Sequence, residues 1–170
     1  DVYNNVKEPT INDDGTVVAA LVELGSNFWT SILISDEYQE PLLGRNYDNA
    51  AYLELHPTLP LISFVATQGL SRIIVLNTAE YSTYLNTGVP KFSSDGEDLL
   101  FAACDFDCFV AINGKRFVIK NTISPQIPFA AKPKSNTIAY STSASMNLLF
   151  LETGKMHAGL LVDYISSPIY

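Results

Sequence analysis

Residues 91–115 read KFSSDGEDLLFAACDFDCFVAINGK, and their pattern decides the architecture. A turn at Ser94-Asp95-Gly96 leads into an apolar strand, Leu99–Cys104. A short polar turn, Asp105–Asp107, leads into a second one, Cys108–Ile112, which ends at Asn113-Gly114. Asp and Asn favour such turns because their side chains bond the local backbone, and Gly accepts positive φ without steric cost. Short unbroken apolar runs bounded by turn residues fit strands buried on both faces.

The same order recurs on either side. Leading turns fall at Asp13-Asp14-Gly15, His56-Pro57-Thr58-Leu59-Pro60 and Pro133-Lys134-Ser135-Asn136. First apolar strands follow at Thr16–Val22, Leu61–Ala66 and Thr137–Ser141. After polar breaks, second strands run Trp29–Ile34, Arg72–Leu76 and Asn147–Leu151. With Gly15, Leu59, Gly96 and Ser135 taken as equivalent, the spacings are 44, 37 and 39 residues. The closing residues Ser35, Asn77, Asn113 and Glu152 give 42, 36 and 39. Two independent landmarks therefore share one period.

Weaker and more polar strands are expected at Pro41–Arg45, Thr83–Asn86, Arg116–Lys120 and His157–Leu161. Short segments such as Ala50–Leu55, Val89–Phe92 and Ile127–Ala131 lead into the next turns. Each unit thus holds about four strands, with an apolar middle pair and a polar outer strand that protects the sheet edge. Asp1–Thr10 and Val162–Tyr170 are left over, and one of them is a candidate for a strand that closes the assembly. No amphipathic helical window survives these turns.

Four-stranded units of about forty residues, none able to bury its faces alone, are the repeats of β-propellers. Phe92-Ser93-Ser94-Asp95-Gly96 followed by Leu99-Leu100-Phe101-Ala102 resembles the start of degenerate WD40-like and YVTN-type propeller repeats. Ile73-Ile74-Val75-Leu76-Asn77-Thr78 and Leu149-Phe150-Leu151-Glu152-Thr153-Gly154-Lys155 resemble its end. The Gly-His and Trp-Asp signatures of true WD40 repeats are absent, and the sole Trp, Trp29, lies in a second strand. The expected fold is all-β: a propeller of about four four-stranded blades, at about 6–45, 46–87, 88–123 and 124–161 within one domain. It is either a complete small ring or part of a larger propeller. A β-sandwich built from the same hairpins is the alternative.

Composition narrows the partners. Hydrophobic residues make up 47% and charged residues 16%, against roughly 25% charged in average domains. The net charge of −8 argues against nucleic acid or an anionic membrane surface, both of which need clustered Lys and Arg. No apolar run approaches the roughly 18–20 residues that span a bilayer. The chain opens on Asp1 rather than Met, so an upstream segment is expected to have been removed. Two cysteines are too few for a disulfide framework, and no Asn-x-Ser/Thr acceptor is present. The compartment is left open.

Each chemical candidate has a plainer counterpart. Cys104 and Cys108 flank an antiparallel turn, so they are either buried small hydrophobes or a cross-hairpin disulfide. His56 and His157 lie in different units, without metal-ligand spacing. Asp95, Glu97, Asp98, Asp105 and Asp107 suggest calcium, but the two groups sit at opposite ends of one strand, roughly 20 Å apart. Gly154-Lys155 lacks the flanking residues of a phosphate-binding loop. No catalytic residue, metal or cofactor is assigned.

The resemblance implies that the loops gather at one face, where rigid scaffolds carry recognition. There we place Arg45, Asn46, Tyr47, Asp48, Gln68, Leu70, Phe106 and Asp107. Arg45, Tyr47, Gln68, Leu70, Phe106 and Asp107 are the protein-binding candidates. On the axis, the resemblance puts Tyr52, Glu54 and Lys91. The expected function is a non-enzymatic protein-binding scaffold, a subunit of a larger assembly. Its partner is another protein, further blades or another copy, with no membrane insertion. The alternatives are a propeller enzyme or small-ligand or carbohydrate binder with an axial site, and a virion or cell-surface structural component.

Overall fold

The computed structural model describes residues 3–25, 27–118, 129–131, 137–141, 145–150 and 155–161. Among these the strands form four antiparallel sheets, each of consecutive strands. The first contains β1 (Asn5–Ile11), β2 (Val17–Leu24), β3 (Phe28–Ser35) and β4 (Leu42–Leu43). The second contains β5 (Asn49–Leu55), β6 (Ile62–Gln68), β7 (Ser71–Leu76) and β8 (Ala79–Tyr84). In the third, the inner strand is split into β9 (Asn86–Thr87) and β10 (Lys91–Phe92). Both pair with β11 (Leu99–Cys104), which is followed by β12 (Cys108–Ile112) and β13 (Lys115–Val118). The fourth contains β14 (Phe129–Ala131), β15 (Thr137–Ser141), β16 (Ser145–Phe150) and β17 (Lys155–Leu161).

The sequence landmarks have direct structural causes. Asn77 and Asn113 adopt positive φ, 52° and 47°, a conformation Asn tolerates better than most residues. The Asn77 side chain accepts the Ile62 N–H at 2.8 Å, and its own N–H donates to the Ile62 carbonyl at 2.8 Å. Asn113 repeats both bonds on Leu99, at 2.8 and 2.9 Å. The first sheet places its asparagine on the other side of the junction, where Asn12 Oδ1 accepts the Val17 N–H at 2.9 Å. An asparagine therefore ties off the start of the first apolar strand in each of these three sheets.

β6 shows why the middle strands lack alternation. Ile62, Phe64 and Ala66 pack with Val17, Ala19, Leu21 and Leu33 of the first sheet. Val65, between them, packs with Leu99, Phe101, Ala103 and Phe109 of the third. Successive side chains point to opposite faces of a strand, and here both faces are interior. A two-layer sandwich would bury one face of each sheet. This middle sheet is covered on both, so the sandwich alternative is excluded.

The inner strands carry bulges at matching places. β1 shifts register between Lys7 and Thr10 around Glu8, φ 52°, and β5 between Ala51 and Glu54 around Tyr52, φ 62°. The Leu53 N–H donates to the Glu8 carboxylate at 2.6 Å. Lys7 donates to Asn49 Oδ1 at 2.9 Å and lies 3.7 Å from the Trp29 ring centroid. Burial holds the Lys7 ammonium below its usual range. A second seam joins the second and third sheets at His56. Its Nδ1 accepts the Thr58 and Leu59 N–H groups at 3.1 and 2.9 Å, so Nε2 carries the hydrogen and donates to the Gly96 carbonyl at 2.9 Å.

Several element boundaries differ from the sequence reading. Asn5–Ile11, counted with the leftover N-terminal residues, is the inner strand of the first sheet. The outer strand of the second sheet is Ala79–Tyr84 rather than 83–86, because the Asn77-Thr78 turn is tight enough for pairing to resume at once. β4 shrinks to two residues. The expected turns at 133–136 and 152–154 lie outside the described residues.

Candidate recognition surface at the hairpin tips

The turns between the two apolar strands form a row of hairpin tips. The second is a two-residue turn, Gly69-Leu70, closed by the Gln68–Ser71 pair. Gly69 has φ 59°, and its N–H donates to Asp48 Oδ2 at 2.7 Å. Asp48 thus braces the turn from the loop before β5. Leu70 then stands 97% exposed. In the third sheet the tip is Asp105-Phe106-Asp107, where the Asp105 N–H donates to the Asp107 carbonyl at 3.2 Å. Phe106 is 102% exposed, and Asp107 is exposed beside it.

A third apolar side chain joins them. β8 ends at Tyr84, opposite Arg72, so the next residue, Leu85, emerges level with the Gly69-Leu70 turn. Its N–H donates to Asp105 Oδ1 at 3.3 Å, which fixes it to the neighbouring tip. Leu85 is 70% exposed. Leu70, Leu85 and Phe106 therefore stand out of a backbone held by turn and inter-sheet hydrogen bonds. Nothing in the sequence marked Leu85, which falls inside the outer strand expected at Thr83–Asn86 and instead lies between β8 and β9.

The remaining expected contact residues divide. Gln68 is exposed at the end of β6. Arg45 is exposed but directed along the outside of the second sheet, where its guanidinium pairs with Glu80 at 3.3 Å. Tyr47 is a correction: it is only 1% exposed and belongs to the core between the first two sheets. Its backbone bridges to Trp29, its ring meets Phe64 edge-on at 5.9 Å, and its hydroxyl donates to Glu80 at 2.9 Å. Burial, followed by that bond to a carboxylate, pushes the phenol well above its usual range. The Tyr47 side chain is therefore part of the core and not of the exposed surface.

The Cys104 and Cys108 sulfurs are bonded, with Cα atoms 4.1 Å apart. Both residues are buried beneath the Phe106 tip. The acidic residues on this repeat work locally. Asp95 accepts from Ser93 at 2.7 Å and Asp98 from Asn113 at 2.7 Å, while Asp105 serves Leu85 at the far end of β11. Among the described residues no group of three or more His, Cys, Asp or Glu is arranged to hold a metal.

On the inner strands, Glu54 pairs in register with Ser63 and Lys91 with Leu100. Ser63 and Leu100 each follow the residue tied by an asparagine latch, so Glu54 and Lys91 occupy corresponding places. Burial pushes the Glu54 carboxyl up, partly offset by the Lys91 charge. Tyr52 is exposed nearby. His56, by contrast, is buried in the seam and serves packing.

No protein-family model matches the chain, and no curated protein matches it. Solved structures do, and they are propellers. The β-propeller domain of the Trilobed protease from Pyrococcus furiosus aligns at TM-score 0.63 with 11% identity, over 93% of this chain and 57% of that one. The Dos1 propeller aligns at 0.59 with 10% identity, over 95% and 48%. An oligogalacturonate lyase in complex with manganese aligns at 0.56 with 8% identity, over 89% and 52%. The fold is an all-β propeller fold, and the chain spans about half the length of these structures. Two of the three names are those of enzymes, a protease and a lyase, and the third names no activity.

Proposed function

We propose that this chain is a non-enzymatic, protein-binding propeller module that works as part of a larger assembly. The single observation that carries the reading is the group of Leu70, Leu85 and Phe106, the first and last almost fully exposed on braced turns and Leu85 largely exposed where it is tied to the Phe106 tip. Burying one such side chain in a partner contributes roughly 1.5–3 kcal/mol. Their backbone is already ordered, so little entropy is lost on docking. Phe106 is the aromatic anchor of the three, and a few buried anchors carry most of the energy of an interface.

The test is site-specific photo-crosslinking in extract of the source organism, with the crosslinker at position 106, 70 or 85 and a control at exposed Glu37. The expected result is one common protein captured from the three tip positions but not from Glu37, with capture from position 85 lost in Leu70→Ser/Phe106→Ser. Equal capture from all four positions, or none from the tips, refutes the reading.

The assembly component has its own support. In the first sheet Ile11, Val18 and Ile34 lie in register across three strands, and all three are exposed, as is Val6. An apolar row on a sheet face matches the packing used between the first and second sheets. The occupant we propose is another propeller sheet with an apolar face. The greater length of the propellers aligned above supports that choice. Size-exclusion chromatography with light scattering tests it. Association that is lost in Ile34→Lys is expected, whereas a monomer at high concentration removes this component.

An axial ligand site is the second reading, favoured by the desolvated Glu54 beside Lys91. It requires a small polar ligand whose binding is lost in Glu54→Gln.

A further inference from the structure

We propose that the Cys104–Cys108 disulfide is a redox latch on the Phe106 tip, holding it in its docking shape when bonded and releasing it when reduced. What it regulates rests on the reading of the tips as a recognition surface. The latch itself stands on the geometry of three equivalent turns.

The first two turns are shaped by positive-φ residues: Gly25 and Asn27 at 55° and 69°, and Gly69 at 59°. These residues supply the chain reversal without help from any crosslink. The third tip, Asp105-Phe106-Asp107, contains no glycine and no positive φ. Its closure consists of one 3.2 Å backbone bond, from Asp105 N–H to the Asp107 carbonyl, and the disulfide directly beneath it. The crosslink joins the ladder pair that flanks the turn, corresponding to Gln68–Ser71 and Leu24–Phe28, which enclose left-handed residues in the other two.

The tip has a defined set of dependents. Asp105 Oδ1 accepts the Leu85 N–H at 3.3 Å, and Oδ2 lies 3.9 Å from the Arg116 guanidinium. That guanidinium lies over the Phe109 and Tyr84 rings, at 4.7 and 5.4 Å. Release of the tip therefore frees Leu85 together with Phe106. The sheet below does not depend on the crosslink. Phe101–Ala111, Ala102–Val110 and Ala103–Phe109 pair in a buried ladder, and Cys104 pairs on its other side with Asn86. Cys108 is the half that moves.

The reductant is a dithiol. One of its thiolates attacks a protein sulfur, the partner cysteine leaves as thiolate, and the second thiol of the reductant displaces the mixed disulfide. Two electrons and two protons pass to Cys104 and Cys108, which become thiols, and the reductant becomes a disulfide.

The experiment is amide hydrogen exchange on the full chain, oxidised and after dithiothreitol, with Cys104→Ser/Cys108→Ser as a permanently open form. Closing a five-residue loop restricts the open ensemble enough that exchange at Leu85 and Asp105–Cys108 is expected to accelerate roughly tenfold or more. Ala102 and Val110 are expected to keep their protection. Unchanged tip exchange, loss of protection through the whole third sheet, or two alkylatable thiols in the oxidised protein would each overturn the latch. Crosslinking separates it from the docking reading. Capture from position 106 that survives reduction sinks the latch alone. Tip exchange that responds to reduction, without capture in either state, keeps the latch and sinks the docking.

Discussion

Gly96→Ala tests the seam between the second and third sheets. Gly96 has φ 75°, and a methyl group added there would fall within the His56 ring. The left-handed backbone alone costs a non-Gly residue roughly 1–2 kcal/mol. The displaced ring forfeits its hydrogen bond to the Gly96 carbonyl, about 1 kcal/mol, and its edge contact with Phe92 at 5.0 Å, about 0.5–1.5 kcal/mol. The expected destabilisation is therefore about 2.5–4.5 kcal/mol, or a fall in Tm on the order of 10 °C for a chain of this size. Gly69→Ala is the control, since φ there is 59° and a methyl meets nothing within 4 Å. Its expected cost is the backbone share only. Urea unfolding followed by circular dichroism measures both. In a His56→Ala background the cost of Gly96→Ala should fall to that of Gly69→Ala, which is the signature of direct coupling. Equal costs for the two glycine variants in the native background would show that the His56 ring does not clamp this seam.

Asn113→Ala removes the side-chain tie to the Leu99 N–H and the bond to Asp98, keeps the backbone tie to the Leu99 carbonyl, and places Ala at φ 47°; a loss of about 2–3 kcal/mol is expected, with Asn77→Ala similar, by urea titration. Glu54→Gln is expected to stabilise the protein near neutral pH. Its folded-state carboxyl titrates above the ordinary 4.5, so wild-type stability falls as pH rises from 4.5 through the raised value. The advantage of the variant should therefore vanish at and below about pH 4.5 in stability–pH curves. Tyr47→Phe strands no hydrophobic contact but breaks the bond to Glu80; it should cost about 1 kcal/mol. Leu70→Ser, at an exposed tip, should stay within about 0.5 kcal/mol of wild type.

The hairpin pairs were legible because both faces of β6 and β11 are interior, which writes an unbroken apolar run into the chain. The asparagines after the second strands were legible as turns for the same conformational reason that lets Asn77 and Asn113 sit at positive φ. Tyr47 was not. Flanked by Asn46 and Asp48 it resembles a loop residue, and only the bridge to Trp29 and a carboxylate 33 positions away turn it inward. The inner-strand bulges were equally hidden, since Glu8 and Tyr52 are ordinary residues whose strain is imposed by the neighbouring sheet. Leu85 owes its place to the crossing from the second sheet to the third, which no local pattern records.

The two-sided interior of β6 limits how such a chain can change length over its history. Inserting one residue between Phe64 and Val65 would exchange the neighbours that every later side chain of the strand serves, spoiling two seams at once. Growth or loss is thus tolerated as whole forty-residue modules, or as lengthening of exposed tips. The strands between them are held to a fixed count by the parity of their own side chains.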